Sequence, residues 1–508
     1  MRQLIPVLFA LALLTCFLSC GKTEADAEQI EPEQISEELV NEEPVTLEDE
    51  NTEEIMLEDT PSVFLELCYA TSVNMPENQF GPEKVFDNDP NTSWITMPGA
   101  GPGEGLFFSF EEPIHLDAIT IQTLPGSSTI QEIATFRLYI NGLQGYNYRP
   151  GDVPIPINTK VKSLFIRINT FQLLSSNEYP PEDGISYTDS LPVGIREITL
   201  LVMNEDGNEV PLRVQPIREF SGRIEASSSL EPTEAYHTDF LFDSRSEFGW
   251  ADGNEDDTGE GESLSFCFDQ IQHIEKIKIW NGYHRSRTHF EQNERAASIS
   301  FGAEGEDAAV YQLADTRRPL VITLDTPLEG QSFALNVLDV YEGTTYKDLV
   351  LSELRFFNGE EWFVLDSGES EARKRNLLEW AQNTSAEAFL DKQVFASNIT
   401  AQEDYTQTLI LRSNGSFILW KQRELEDSTE DMYADGNWQI IDDNSVRIFG
   451  RLHRIGRYTQ ASYNPYSGVQ PAQDREPELD RITIFTDVLQ FDENRISSDR
   501  GMFDDFVF

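Results

Sequence analysis

Basic residues are scarce in this chain of 508 residues, where 37 Lys and Arg stand against 90 Asp and Glu for a net charge of −53. Recognition of a phosphate backbone needs a basic stripe, so this balance excludes nucleic acid as a partner. It equally excludes docking on anionic lipid through protein charge. Cysteine is scarcer, with four in the chain and no Cys-x-x-Cys or Cys/His spacing, which excludes a structural zinc site. The six histidines form no HExxH pattern, and the GxSxG elbow and the full Gly-x4-Gly-Lys-Ser/Thr loop are also missing. The chain reads as a non-enzyme, although 90 carboxylates leave a pair acting on envelope polysaccharide open as an alternative. Beyond Leu18 no apolar run is long enough to span a membrane.

What is present begins at the N-terminus. Residues 1–19 read as a lipoprotein signal peptide, with Arg2, an apolar run from Leu4 to Leu18 and the small Ser19 at the cut. Cys20 follows the cut, where a bacterial lipoprotein carries its lipid anchor; an ordinary secretory signal with an incidental Cys is the alternative. Residues 20–61 then form an acidic tether. Between Lys22 and Thr60 there are sixteen Asp and Glu, one Lys and no aromatic residue, too little apolar surface to offset the entropy of ordering. These features place the protein in a bacterial cell envelope, attached to membrane through the N-terminal lipid only. Gly21 in place of the Asp of an inner-membrane retention signal favours the outer membrane. Cys16 leaves with the signal, so Cys68 and Cys267 remain, expected as two buried free thiols, with an interdomain disulfide as the alternative.

Past the tether the chain repeats. Ala70-Thr71-Ser72 recurs as Ala226-Ser227-Ser228, Phe86-Asp87 as Phe242-Asp243 and Trp94 as Trp250. Gly103-Glu104-Gly105 recurs as Gly259-Glu260-Gly261, Ser109-Phe110 as Ser265-Phe266, and Glu197 as Glu353, every pair 156 residues apart. A constant offset across two Trp and two GEG triplets predicts a duplicated domain at 62–220 and 221–367. Both copies read as β. Leu264 to Phe268 alternates faces, and from Ile274 to Trp280 the pattern buries Ile277 and Ile279 and turns Lys276 and Lys278 outward. Many short strands in about 150 residues predict a β-sandwich or jelly roll. The shared Trp94, Gly103, Glu104, Gly105, Gly259, Glu260, Gly261, Glu197 and Glu353 are assigned to building it, as are Asn281 and Gly282 at a turn.

The second copy carries strings absent from the first. After Trp250 and GEG come Asn281-Gly282-Tyr283, then Phe290-x-x-Asn293-x-Arg295, then Asp339-Val340-Tyr341-x-Gly343-x-x-Tyr346-x-Asp348, closing with Leu351-Ser352-Glu353-Leu354. This series resembles the discoidin-like translocation domain of streptococcal NAD-glycohydrolase, of the NADase-type glycan-binding family in the coagulation factor type C class. The resemblance implies a β-sandwich that binds carbohydrate; the NAD-cleaving domain of those toxins has no counterpart here. Sugars need flat ring faces against C–H surfaces and planar polar groups against hydroxyls. Trp250, Tyr283, Asn293, Arg295, Tyr341, Tyr346 and Asp348 are therefore the candidate ligand residues. For each a packing role stays open; one such reading pairs Arg295 with Glu353 inside the sandwich. Asp252, Asn254 and Asp256 place oxygens at alternate positions, open to an irregular calcium loop or a solvated turn, but not an EF-hand, since Asp257 stands where Gly is required. No other cofactor is implied.

Residues 370–508 differ again. Apolar spacing predicts a helix over Ala372–Leu390, and Asn414-Gly415 between alternating runs predicts a hairpin. The strands that follow read as a small lipocalin-like β-barrel. The expected architecture is mainly β: two tandem discoidin-like sandwiches, a short helix and a small barrel. The expected function is non-catalytic binding of a glycan or glycosylated surface; a scaffold lipoprotein for protein partners is the alternative.

Overall fold

The computed structural model describes residues 61–508 apart from 75–76, 99–102, 143–146, 172–190, 205, 232–234, 255–257, 385–388, 392, 400–402, 426–427, 461–462, 465–467, 470–472, 475–478, 493–494, 500–505 and 508. The signal peptide, Cys20, nearly all of the tether and Asp256 lie outside the described residues. The described chain is mainly β, and none of its helices is long and apolar enough to cross a membrane.

Two sheets are built around one long strand each. Gly105–Thr123 pairs first with Ser62–Ala70 and then with Gly194–Met203, while Gly151–Phe171 follows its other edge. Ser263–Asn281 pairs in the same way with Arg218–Ala226, then Val350–Phe357, and along its other edge with Leu320–Tyr341. Register shifts between Ser109 and Ile114 and between Cys267 and Gln272 bend the long strands, so each sheet curls around its own core. Alternation explains that core: Leu264, Phe266 and Phe268 are buried, with Ser265 and Cys267 between them on the other face. The first and last strands of each unit run parallel, Ser62–Phe64 beside Arg213–Gln215 and Arg218–Ser221 beside Phe363–Asp366. The strand Arg218–Ala226 thus straddles residues 220 and 221.

The same bonds recur in both units. Trp94 and Trp250 are 0% exposed, and their indole N–H groups donate to the carbonyls of Ser72 and Ser228, both at 2.9 Å. Losing either ring would cost about 3–5 kcal/mol. Beside each indole a buried glutamate clasps two hydroxyls. Thr71 and Ser72 donate to Glu104, while Ser227 and Ser228 donate to Glu262. The residue matching Glu104 is therefore Glu262 and not Glu260, which is exposed. Gly103 and Gly261 also match, with φ of 104° and 94° and amides bonded to Ile168 and Val337. The repeat carries a two-residue shift between Trp250 and the clasp that the GEG triplet conceals. The shift persists along the long strands, where Leu106 faces Ala70 and Leu264 faces Ala226. Phe266 therefore matches Phe108, and the expected match of Ser109-Phe110 with Ser265-Phe266 is not kept. The 156-residue offset returns by the strands that pair with the tryptophans, Trp94 with Ile195 and Trp250 with Leu351.

The third sheet is an antiparallel meander from Gln393–Ile399 to Phe506–Val507, with neighbours in chain order along its main path. Gly415, at φ 81°, makes the turn between Glu403–Leu411 and Ser416–Leu425. The helix preceding it spans Glu369–Gln382, earlier than the spacing predicted. It stops where the Asn383 side chain caps it, its Nδ2 donating to the Glu379 carbonyl at 2.8 Å. Trp380 packs on Trp438, their ring centroids 5.8 Å apart.

Ion pairs join the units. Lys278 leaves the core face as predicted, yet is buried in a joint, 2.9 Å from Glu66. Glu247 pairs with Arg245 and with Arg451 of the third sheet, both at 2.7 Å, and Arg245 also reaches Asp435 at 2.9 Å. Burial works to raise the Glu247 pKa, but Arg451 and Arg245 outweigh it and hold the group at about 2. Cys68 and Cys267 are free and half-buried.

The clasp assignment is testable by denaturation of the full chain. Glu262→Ala removes a charged acceptor from two hydroxyls and should cost about 1–3 kcal/mol. Glu260→Ala, at an exposed position, should stay within about 0.5 kcal/mol of the parent. The reverse order would restore the GEG alignment.

Candidate functional site

One end of the second unit collects the strings that distinguish it. The long strand ends at Asn281, whose side chain stands in for a backbone pair: its amide donates to the Ala296 carbonyl at 2.8 Å and its oxygen accepts from the Ala296 amide at 2.9 Å. Gly282 follows at φ 88°, where a β-carbon would also sit 2.5 Å from Arg295 Cγ. Its carbonyl accepts from the Ser352 hydroxyl, which in turn accepts from the His284 amide. Ser286 caps the short helix Arg287–Gln292 by accepting from the His289 amide at 3.2 Å.

The candidate ligand residues divide sharply by exposure. Trp250 has no ring face at the surface, because the core encloses it. Tyr283, 6% exposed, packs with Ala251 and Val350, and its hydroxyl accepts from Arg285 at 3.2 Å. Asn293 is buried and closes the short helix, donating to the His289 carbonyl at 2.8 Å. Arg295 is buried too, bidentate to Asp315 at 2.9 Å for both bonds, with a further bond to the Asn293 carbonyl. The Arg295–Glu353 pair is therefore not formed; Glu353 meets Arg355 at 2.7 Å instead. Tyr341 is half-buried and donates to the Leu313 carbonyl at 2.8 Å. These five hold the end together, and their satisfied polar groups leave little to offer a sugar.

Tyr346 is different. Its loop is anchored by backbone bonds from Thr345 and Tyr346 to the Gln292 carbonyl, and Gly343 lies so close that a β-carbon would meet that carbonyl at 2.4 Å. On this braced loop the Tyr346 ring is 50% exposed, the one aromatic of the second unit so open among the described residues. Asp348, two residues on, is half-buried, and its carbonyl accepts from the Glu294 amide. Gly259 donates to the Glu294 carboxylate at 3.0 Å.

Sequence reasoning passed over Arg285, Arg317 and Tyr236, which the fold brings to the same end. Arg317 donates to the His284 carbonyl at 2.9 Å, and Tyr236 packs beside Tyr283. The signal was present in the His-Arg-Ser-Arg run after the NGY turn. Of the acidic turn beside them, Asp252 and Asn254 are among the described residues and Asp256 is not. Asp252 is buried and accepts from the Leu349 amide at 3.1 Å, whereas Asn254 is exposed. Burial lifts the Asp252 pKa to about 7. Among the described residues no three His, Cys, Asp or Glu stand close enough to hold a metal ion.

His284 gives this end a pH signature. Burial, with Arg317 adding to it, lowers its pKa to about 4 from an ordinary 6.5. The folded state therefore holds it neutral while the unfolded chain protonates below 6.5, so stability falls as pH drops from about 6.5 to about 4. His284→Gln should flatten that part of the profile by about 2–3 kcal/mol relative to the parent. Parallel stability curves for the two proteins over this range would contradict the assignment.

The end so described falls within a recognisable span. No curated protein matches the chain. Over 27% of its length the chain is similar to the family 32 carbohydrate-binding module of C. perfringens NanJ, a structure with galactose, covering 92% of that chain at 13% identity and a TM-score of 0.22. Over 58% it is similar to the paired modules CBM32-1 and CBM32-2 of Clostridium perfringens ZmpB, covering 92% of that chain at 10% identity and a TM-score of 0.22. Residues 219–357, which contain the NGY turn, the Asn293–Arg295 string and the Tyr346 loop, match the family of the NAD glycohydrolase translocation F5/8 type C domain.

Proposed function

We propose that this is a lipid-anchored protein of the bacterial envelope, held by Cys20, whose second unit binds carbohydrate without transforming it. The observation that carries the reading is the Tyr346 ring, exposed on a rigid loop inside the span that matches the translocation-domain family. The motif resemblance of that span to NADase-type glycan-binding domains supplies the ligand class. An open ring on a braced loop offers a stacking face at little entropic cost.

The first unit is the divergent copy of the same sandwich, and the third sheet is a small barrel of lipocalin-like kind, as its chain-order meander suggests. The non-catalytic reading rests on the sequence, which carries no HExxH, GxSxG or Gly-x4-Gly-Lys-Ser/Thr pattern.

Two experiments test this function. In the full chain Tyr346→Ala should weaken a glycan selected on an array about tenfold, through lost stacking worth about 1 kcal/mol, with melting unchanged. Unchanged binding would remove the ring from the site, and turnover of the bound glycan would overturn the non-catalytic reading. In cells, Cys20→Ser should abolish lipid labelling and leave an uncleaved precursor; labelling that persists would place the anchor elsewhere.

A further inference from the structure

The charge at the exposed end of the second unit runs against that of the whole chain. The second unit holds nine arginines, Arg218, Arg223, Arg245, Arg285, Arg287, Arg295, Arg317, Arg318 and Arg355. Six pair with a carboxylate: Arg218 with Glu361, Arg223 with Glu225, Arg245 with Glu247, Arg287 with Glu291, Arg295 with Asp315 and Arg355 with Glu353. Among the described residues Arg285, Arg317 and Arg318 form no such pair, and they come from the two loops that meet where Arg317 bonds the His284 carbonyl. The run Tyr283–Phe290 between them contains two Arg, two His and no carboxylate.

The three unpaired arginines are open to ligand. Arg317 and Arg318 are exposed and Arg285 is half-buried. Arg285 is also held in place: it donates to the Tyr283 hydroxyl, and its guanidinium lies 5.9 Å from the Phe449 ring of the third sheet. Such fixing lowers the ordering cost of presenting the remaining N–H donors of a planar fork to a partner. Burial raises the Tyr236 pKa, and Arg285 together with Arg447 of the third sheet works against that rise. Of the carboxylates nearby, Glu291 is engaged by Arg287, Asp315 by Arg295 and Glu294 by the Gly259 amide, while Asp348 adds a negative charge on the Tyr236 side. At physiological salt the screening length is about 8 Å, so distant acidic groups of the chain do not cancel this local field.

We propose that this end selects an anionic glycan, one bearing carboxylate or sulfate groups, with Arg285, Arg317 and Arg318 as the anion contacts beside the Tyr346 ring. The inference rests on the glycan-binding reading above and narrows it to a ligand class. Guanidinium forks match planar and tetrahedral oxyanions with paired hydrogen bonds, and a neutral sugar would leave those donors to water.

The test uses the full chain and three probes of matched length: oligogalacturonate, a sulfated galactan oligosaccharide and unmodified galactan. Calorimetry in 150 mM salt should show at least one anionic probe bound about tenfold or more tightly than the neutral one. Arg317→Gln and Arg285→Gln should each remove about that factor for the anionic probe. Arg317→Gln alters an exposed side chain, so an unaltered melting curve separates lost contact from lost fold. Preference for oligogalacturonate would identify a carboxylate, preference for the sulfated probe a sulfate ester, and either supports the proposal. Equal or better binding of neutral galactan would overturn the anionic reading while leaving glycan binding intact. Anionic binding indifferent to both variants would also overturn it, and failure to bind any of the three would bring down both readings together.

Discussion

A buried carboxylate beside an indole organises each of the first two units. Glu104 and Glu262 accept from the two hydroxyls that follow the first strand, and the indole of Trp94 or Trp250 donates to the second of those residues. A charge buried this deeply is tolerated only while its hydrogen bonds are made, so the clasp fixes where the first strand leaves the sheet and where the long strand begins. Everything at that end of the sandwich is hung from it. In the second unit, the glycine before Glu262 turns at φ 94°, and Gly259 comes close enough to bond Glu294.

The same clasp explains why the two ends differ in use. In the first unit Glu104 also receives Arg412 from the third sheet, a contact buried on both sides. Tyr433 covers Arg167 at 3.7 Å, and a methyl on Gly103 would stand 3.1 Å from its ring. The equivalent Gly261 faces open space. The third sheet therefore covers the end of the first unit, and it meets the second through the buried Phe248–Phe449 contact, the ion pairs of Arg245 and Glu247, and the approach of Phe449 to Arg285. The clasp end of the first unit thus packs on the third sheet, whereas in the second unit Gly261 is open and the Tyr346 ring is exposed. The ionic knot of Glu247, Arg245, Arg451 and Asp435 holds that asymmetry in place, since removing one partner would strand a buried charge.

Much of this architecture is legible in the sequence for a simple reason. Alternation such as Leu264, Phe266, Phe268 reports a face directly, and a Trp repeated at a constant interval reports an equivalent core position. The clasp was hidden because Gly259-Glu260-Gly261-Glu262 offers two registers for one GEG triplet, and only the hydroxyls of Ser227 and Ser228 choose between them. Lys278 shows a related limit: alternation says that it points away from one core, but not that another unit waits on that side. At the candidate site the difficulty is chemical. Aromatic rings, amides and guanidinium groups are what a sugar needs and also what braces a turn, so Tyr283, Asn293 and Arg295 looked like Tyr346. What distinguishes them is whether the neighbours already satisfy the side chain, and that is a property of the fold. Arg285 and Arg317 were missed for the converse reason, because their lack of a carboxylate partner is visible only once the loops are assembled.

The central claim is that the second unit presents a ligand end while the first has surrendered its own to the third sheet. Hydrogen exchange on the full chain, with and without a saturating glycan chosen from an array, tests this most directly. The account predicts ligand-dependent protection in residues 283–290 and 343–348, and no change around 103–105 or 412–418. Protection confined to the loops of the first unit, with 283–290 and 343–348 unaffected, would contradict it.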